Sequence, residues 1–555
     1  MGVGKTHKSN LTRGASIMVV CVAIAKFLGV VWIIPVTTLI GNEGLGIYSN
    51  AYAMYNILLT LATSGFPLAM GKLVSERLAH KQYGEVEQMY RVTMRVVTLF
   101  GIAAFLLMWF GAPLYSTVIA VLAPGKASSQ MVLSIRALAP SLLVVPIMSA
   151  LRGYLQGFQQ LEAPAYSQAV EQLFRVIAMV IGAYIVVHAG MGVVAGAAAA
   201  TFGAFVGAVA GLCLLVAAVI PVRRQFRHQG QGTSRLSNRQ ILRMMYRVAL
   251  PVSLGTLVVP ISNLADSLTV QNFLMIAGKT LREATIDYGI LSRQALYLIQ
   301  LPLSFAFAIG VSVLPAISEA VALKRQPTIQ SHVTGTFRTM FFITFPTAAV
   351  LLVLANPIDY VLSHSYQGAP IISAVSFMCV FSSLELISTY ILQGLGKMYR
   401  PVRNMFLGVF VKVLLNVVLI TLMHSVMGAA IATTIGYLFS SILNVLAVRK
   451  YGRVRFSMPK LAMPFLLPTV PLCVVLYVVN ALVHKLLGAS LRHHLWMQNL
   501  VQFIVASACG AIFYIYLAIR IGSVRPEELS QLPSIGRRLS AFARRIQKPR
   551  NRQAL

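Results

Sequence analysis

The chain of 555 residues is 57% hydrophobic and only 11% charged, where roughly a quarter of an ordinary soluble domain is charged. It also carries 46 Lys+Arg against 14 Asp+Glu, a formal charge of +32. The composition excludes a soluble globule, while the charge invites a nucleic-acid partner that only the placement of the basic residues can accept or reject.

Apolar runs of the length that crosses a bilayer as a helix, about 20 residues, recur along the whole chain. In order they cover approximately 14–40, 47–71, 92–122, 131–151, 165–187, 192–220, 249–276, 288–314, 339–356, 371–395, 402–423, 427–448, 461–484 and 498–519. Barrel strands would alternate over about ten residues, so the expected fold class is an all-α polytopic membrane protein with 14 transmembrane helices. The N-terminal basic region precedes an apolar run too long for a signal peptide, and it reads as a retained first span.

The basic residues sort by side. Alternate connections hold most of them: Lys5 and Arg13, Lys72 to Arg91, the 223–247 loop, Lys324 and Arg338, Lys397 to Arg403, the 449–460 stretch and the tail from Arg520. The opposite set is sparse, with Lys126, Arg136, Lys279, Arg282, Arg293, Lys485 and Arg492 as its main members. This asymmetry places both termini in the cytoplasm of a multi-pass protein of the plasma membrane. The basic loops lack interleaved aromatics, so no nucleic-acid partner is expected.

The span count suggests an N-terminal six-helix lobe over 1–220, a basic linker over 221–247, a second six-helix lobe over 248–450, two additional helices over 451–520 and a basic tail over 521–555. An internal echo supports two pseudo-symmetric lobes. Leu155-Gln156-Gly157, Pro164 and Arg175-Val176 recur at the same offsets as Leu392-Gln393-Gly394, Pro401 and Lys412-Val413, and Ser75-Glu76 pairs with Ser318-Glu319. Even span counts give both lobes one orientation, with a central cavity between them. Prolines at 35, 67, 146, 251, 260, 302, 315 and 346 mark kinks or hinges. Gly203, Gly207 and Gly211 form a close-packing stripe.

Charges inside spans cost about 2.5–3.5 kcal/mol each on insertion scales and mark wet cavities or substrate paths. Lys26 stands at the centre of the first span without a local acid, and Arg175 and Lys412 hold repeat-equivalent places in the fifth and eleventh. With Arg152 they form an expected cationic vestibule for an anion. Glu171, four residues before Arg175, is expected to pair with it on one helix face. Asp266 and Glu385 are candidates for a coupling cation, a proton or an ion pair. Arg293 is a gate or an interfacial anchor, and Arg136 snorkels at an interface.

Several strings carry no chemistry. Gly2-Val3-Gly4-Lys5-Thr6 lacks the strand and earlier glycine of a phosphate loop, and His493-His494 lacks a further metal ligand at the usual spacing. Cys21, Cys213, Cys379, Cys473 and Cys509 all fall in apolar spans without paired spacing. No catalytic constellation is visible, so no enzyme, metal or cofactor is expected, and coupling falls to the membrane potential, sodium or protons. Ile535, Leu539, Phe542 and Ile546 alternate with arginines at helical spacing, an amphipathic helix suited to anionic membrane lipids.

Arg13-Gly14 through Lys26-Phe27-Leu28-Gly29 to Pro35 resembles the opening of the bacterial lipid II flippase family, the SpoVB/YtgP-type relatives of MurJ. So do Val145-Pro146-Ile147-Met148, Arg152-Gly153-Tyr154-Leu155-Gln156-Gly157, Val170-Glu171-Gln172 to Arg175, and Leu314-Pro315-Ala316-Ile317-Ser318-Glu319. The resemblance runs through the whole chain. It implies the multidrug/oligosaccharidyl-lipid/polysaccharide (MOP) exporter fold, with two lobes and two extra helices forming a lipid groove. It implies movement of an undecaprenyl-diphosphate-linked saccharide, lipid II, from the inner to the outer leaflet, with Lys26, Arg152, Arg175 and Lys412 serving the headgroup. Other lipid-linked precursors, cation-coupled drug export and a scaffold for wall-synthesis proteins are the alternatives. Glu76, Arg293 and Glu319 are gate candidates. Lys26 matches a first-helix arginine of that family, whereas Trp32-Ile33 replaces an Arg-Asp pair and Leu59 or Thr60 falls where a second-helix arginine is expected.

Overall fold

Hydrocarbon offers no hydrogen-bond partner to a backbone, so a chain this apolar must satisfy its N–H and C=O groups internally. The computed structural model does so with helices throughout the residues it describes: 21, 24, 25, 28, 29, 31–63, 65–119, 126–227, 236–488 and 494–523. Lys26, His493 and the amphipathic stretch at 535–546 lie outside the described residues.

Among the described residues, 12 helical segments are long and apolar enough to cross a membrane. Fourteen were expected from the sequence, and the two missing ones have separate explanations. The first, 14–40, falls partly outside the described residues. The seventh, 249–276, is two helices, Asn238–Thr256 and Val258–Ile276, that break at Leu257. Pro260 explains the break, because its ring crowds the carbonyl four residues back, at Thr256, and it has no N–H to give. The first of these helices opens on a capping box between Ser237 and Gln240. A second irregularity is the kink in Ile33–Thr63, where Gly41 adopts φ 63°, a left-handed conformation that a side chain disfavours.

The chain groups by contact into two compact units, Met1–Arg293 with Asn416–Val426, and Gln294–Leu415 with Met427–Leu555. The lobe boundary expected at 221–247 follows span count, whereas contacts join the two helices around Leu257 to the first unit. In the first unit, a core of Met70, Met89, Leu151, Tyr154, Leu155 and Leu215 is at most 2% exposed. Its most extensive helix contact is Glu162–His188 against Gly192–Arg227. A Cβ on Gly207 would lie 2.5 Å from the Glu171 carbonyl oxygen, and one on Gly203 would lie 2.5 Å from Met179 Cγ. The glycine stripe is therefore the packing surface its spacing predicted.

In the second unit, Phe337, Phe465 and Tyr514 are among the largest fully buried side chains, and the Phe342 ring lies 5.8 Å from that of Tyr514. The closing helices Met458–Gly488 and Leu495–Ile521 pack on each other. The internal echo lands on equivalent helix positions in its two copies. Gly157 and Gly394 each end a helix, Pro164 and Pro401 are each the third residue of the next, and Arg175 and Lys412 follow at the same offset.

Candidate functional site

The helix Ile33–Thr63 presents Tyr48, Tyr52 and Tyr55 at spacings of four and three residues, which puts them on one face. All three are buried, and Tyr48 and Tyr52 stack with ring centroids 4.4 Å apart. Tyr52 and Tyr55 meet edge to face at 5.4 Å. Trp32 closes the upper end of this ladder, 5.1 Å from Tyr48.

Arg293 reaches the ladder because of two backbone features. Helix Leu281–Gly289 crosses Ile33–Thr63 at glycines: a Cβ on Gly46 would lie 2.0 Å from the Thr285 carbonyl oxygen, and one on Gly289 would lie 2.6 Å from that of Asn42. The following turn, Ile290–Ala295, is a π-helix, the widened turn that commonly re-aims a side chain at a functional site. Arg293 Cζ then stands 4.9 Å from both the Tyr48 and the Tyr52 ring centroids, and its Nε donates to Ser49 Oγ at 3.2 Å. Ser292 Oγ donates to the same Ser49 hydroxyl at 2.7 Å.

Arg175 approaches Tyr52 from the helix Glu162–His188, with Cζ 6.0 Å from the ring centroid. Among the described residues, its Nε is buried without a hydrogen-bond partner. The expected Glu171–Arg175 pair is not formed. Glu171 Oε2 instead accepts from Arg152 Nη2 at 2.8 Å, and Arg152 Nε donates to Ser167 Oγ at 2.9 Å. The reason lies in helix packing: Arg152 crosses from Ser141–Gly157 and satisfies the carboxylate, while Gly207 presses on Arg175 Cβ at a would-be 2.8 Å. Arg152 is thereby a paired cation rather than a vestibule charge.

The other expected residues divide. Lys412 is 4% exposed and is packed in the same manner as Arg175, with a Cβ on Gly436 coming within 2.9 Å of its own Cβ. Asp266 is 3% exposed, and Asn416 Nδ2 donates to its Oδ1 at 3.0 Å and to Thr269 Oγ1 at 3.3 Å. Glu385 is 6% exposed and accepts from Thr389 Oγ1 and Asn444 Nδ2. Glu76 and Glu319 are exposed at their helix surfaces and join neither cluster. Arg136 Cζ lies 5.5 Å from the Trp109 ring centroid, and its Nε donates to the Trp109 carbonyl at 3.3 Å.

Together Arg175 and Arg293 flank one tyrosine. An arginine on an aromatic face gains about 0.5–2 kcal/mol and keeps its N–H fork available. A site of two guanidiniums, tyrosines and a serine hydroxyl is suited to an oxyanion such as a phosphate. Among the described residues, no cluster of three or more His, Cys, Asp or Glu could hold a metal ion, and the cysteines are free. Sequence reasoning missed Tyr48, Ser49, Tyr52, Tyr55, Asn416 and Asn444. The tyrosine spacing was visible, but such a stripe in an apolar helix reads equally well as core.

A model of the family described as "Polysaccharide biosynthesis protein" matches residues 11–321. The lipid II flippase MurJ of Bacillus subtilis (strain 168) is 27% identical, with 97% of this chain and 99% of the relative aligned. Stage V sporulation protein B of the same organism is 24% identical over 96% of this chain and 99% of its own length. Among solved structures, an inward closed lipid II flippase MurJ superposes with a TM-score of 0.66, 13% identity, and coverage of 90% of this chain and 99% of that one. An inward-facing MATE-family multidrug resistance transporter of the MOP superfamily gives 0.62 and 14%, covering 80% and 98%. The chain is a multi-pass bacterial membrane protein with this fold.

Proposed function

Because the chain belongs to the polysaccharide biosynthesis protein family, we propose that it moves an undecaprenyl-diphosphate-linked saccharide, lipid II, from the inner to the outer leaflet by alternating access. The observation that carries this reading is the pair Arg175 and Arg293, both resting on Tyr52 with guanidinium edges that no salt bridge occupies among the described residues. A diphosphate offers two phosphoryl groups to two guanidiniums, and Arg binds phosphate bidentately where Lys acts as a point charge. Lys26 joins this cationic path in the proposal, Lys412 is the matching cation of the other repeat, Arg152 holds the wall through Glu171, and the prenyl tail stays in lipid beside the last two helices. Glu76 and Glu319 act at the cytoplasmic mouth, which the positive-inside asymmetry places on the side of both termini. Asp266 and Glu385 are the coupling candidates, for sodium or protons, with the membrane potential worth about 2.3 kcal/mol per charge per 100 mV. The two lobes of the internal repeat are the bodies that rock.

A second reading keeps the mechanism and changes the saccharide to a capsule, teichoic acid or spore-cortex precursor; the likeness to stage V sporulation protein B favours it. The test is purified protein in liposomes loaded in turn with labelled lipid II, with another undecaprenyl-diphosphate-linked saccharide and with a cationic drug. Protein-dependent exposure of lipid II is the expected result. Exposure of the second lipid alone selects the other cargo, drug efflux selects an antiporter, and no movement of any substrate by folded protein selects a wall-synthesis scaffold.

A further inference from the structure

In the second unit, a carboxyl sits at one end of a directional chain of hydrogen bonds. Glu385 lies halfway along the helix Met378–Gly394. Its Oε1 accepts from Thr389 Oγ1 at 3.0 Å and from Asn444 Nδ2 at 3.3 Å. Asn444 Oδ1 in turn accepts from Asn404 Nδ2 at 2.9 Å, and Asn404 Oδ1 accepts from Arg403 Nη2 at 3.1 Å. Asn404 and Asn444 are 1% and 0% exposed, while Arg403 is at the surface.

The chain has only one polarity. An asparagine amide can turn either way, but a guanidinium can only donate. Arg403 therefore fixes Asn404 with its carbonyl outward, Asn404 fixes Asn444 in the same sense, and Asn444 must present N–H to Glu385. A metal cation of the sodium or calcium kind needs oxygen acceptors turned toward it, and this arrangement turns a donor toward the site. A proton needs no such shell.

Among the described residues, no basic side chain forms a salt bridge with this carboxylate. The helices packed on Met378–Gly394 carry Glu319, His332, Arg338, Tyr437, Arg449, Lys450 and Tyr451. None of these forms a salt bridge with the Glu385 carboxyl, whose side-chain partners are Thr389 and Asn444. An ionised acid in hydrocarbon is expensive unless paired, and neutralisation is the usual escape.

We infer that Glu385 is a proton-binding site, with Oε2 receiving the proton, and that the Arg403–Asn404–Asn444 chain makes the site selective for protons over metal cations. Uptake forms one Oε2–H bond with a proton drawn from water, cancels one negative charge and needs no other reactant. That this proton drives transport rests on the flippase reading above; the site itself does not.

Infrared titration of the full-length protein in lipid nanodiscs tests the proposal without any cargo. A carboxylic-acid C=O band should grow as the pH falls, disappear in Glu385→Gln, persist in Asp266→Asn and be indifferent to sodium. Arg403→Gln frees both amides to turn, so the proton concentration at half-height should change by about tenfold, one unit on the pH scale. Glu385→Asp keeps an acid at the site and should retain a band, which separates loss of the proton from loss of the fold. A band untouched by Glu385→Gln, or one abolished by sodium at fixed pH, overturns the inference. A Glu385 band in a protein that moves no lipid would count against the flippase and leave the proton site standing; movement without the band would do the reverse.

Discussion

Arg152, Arg175 and Arg293 carry the same charge and have different fates, decided by what their neighbours offer. Arg152 meets Glu171 and Ser167, so its charge is spent on joining two helices. Arg175 and Arg293 meet tyrosine faces, and among the described residues no salt bridge uses their charge. The sequence invited the wrong partner for Glu171, because the i,i+4 rule is local and Arg152 is 19 residues away. The distinction is measurable by melting the purified protein. Glu171→Ala should destabilise by about 1.5–3 kcal/mol, the range for a hydrogen bond to a charged group, and adding Arg152→Ala should cost less than the sum of the two single changes. Glu171→Ala with no effect, or strict additivity, would contradict the pairing.

At the scale of elements, hydropathy located the helices, since a bilayer leaves a long apolar run little choice. It did not locate the interruptions. Pro260 signalled the break at Leu257, but an averaging window smooths over a single residue. The π-turn at Ile290–Ala295 has no sequence signature at all, and it is what aims Arg293. The glycine stripe was legible from its period of four and meets backbone rather than flexible side chains at Gly207. Gly207→Leu should therefore cost about 1–3 kcal/mol or more by overpacking, seen as a lower melting temperature. Gly335→Ala, in open space on Gln326–Val353, should be neutral or stabilising by about 1 kcal/mol. Equal effects of the two changes would remove the packing account.

For the whole molecule, charge asymmetry between alternate connections fixes the expected orientation. Single cysteines in an otherwise cysteine-free chain test it with a membrane-impermeant maleimide on intact cells. Gln367→Cys should label from outside and Lys324→Cys only after permeabilisation; the reverse pattern would invert the expected topology and the proposed direction of transport with it. The candidate site was legible as far as intramembrane cations in a polytopic chain, Lys26, Arg175 and Lys412, of which Lys26 lies outside the described residues. The aromatic half of the site was not, because Tyr48 and Tyr52 acquire a role only when a distant arginine is folded onto them.

The account stands on that arginine pair. The decisive measurement is protein-dependent appearance of labelled lipid II on the outer face of liposomes, compared between the wild-type chain, Arg175→Gln, Arg293→Gln and the corresponding lysine changes at matched amounts of folded protein. Loss of at least about tenfold with glutamine, equivalent to about 1.4 kcal/mol, and only partial recovery with lysine are expected. Full movement by Arg175→Gln and Arg293→Gln proteins would contradict the claim that these guanidiniums hold the diphosphate.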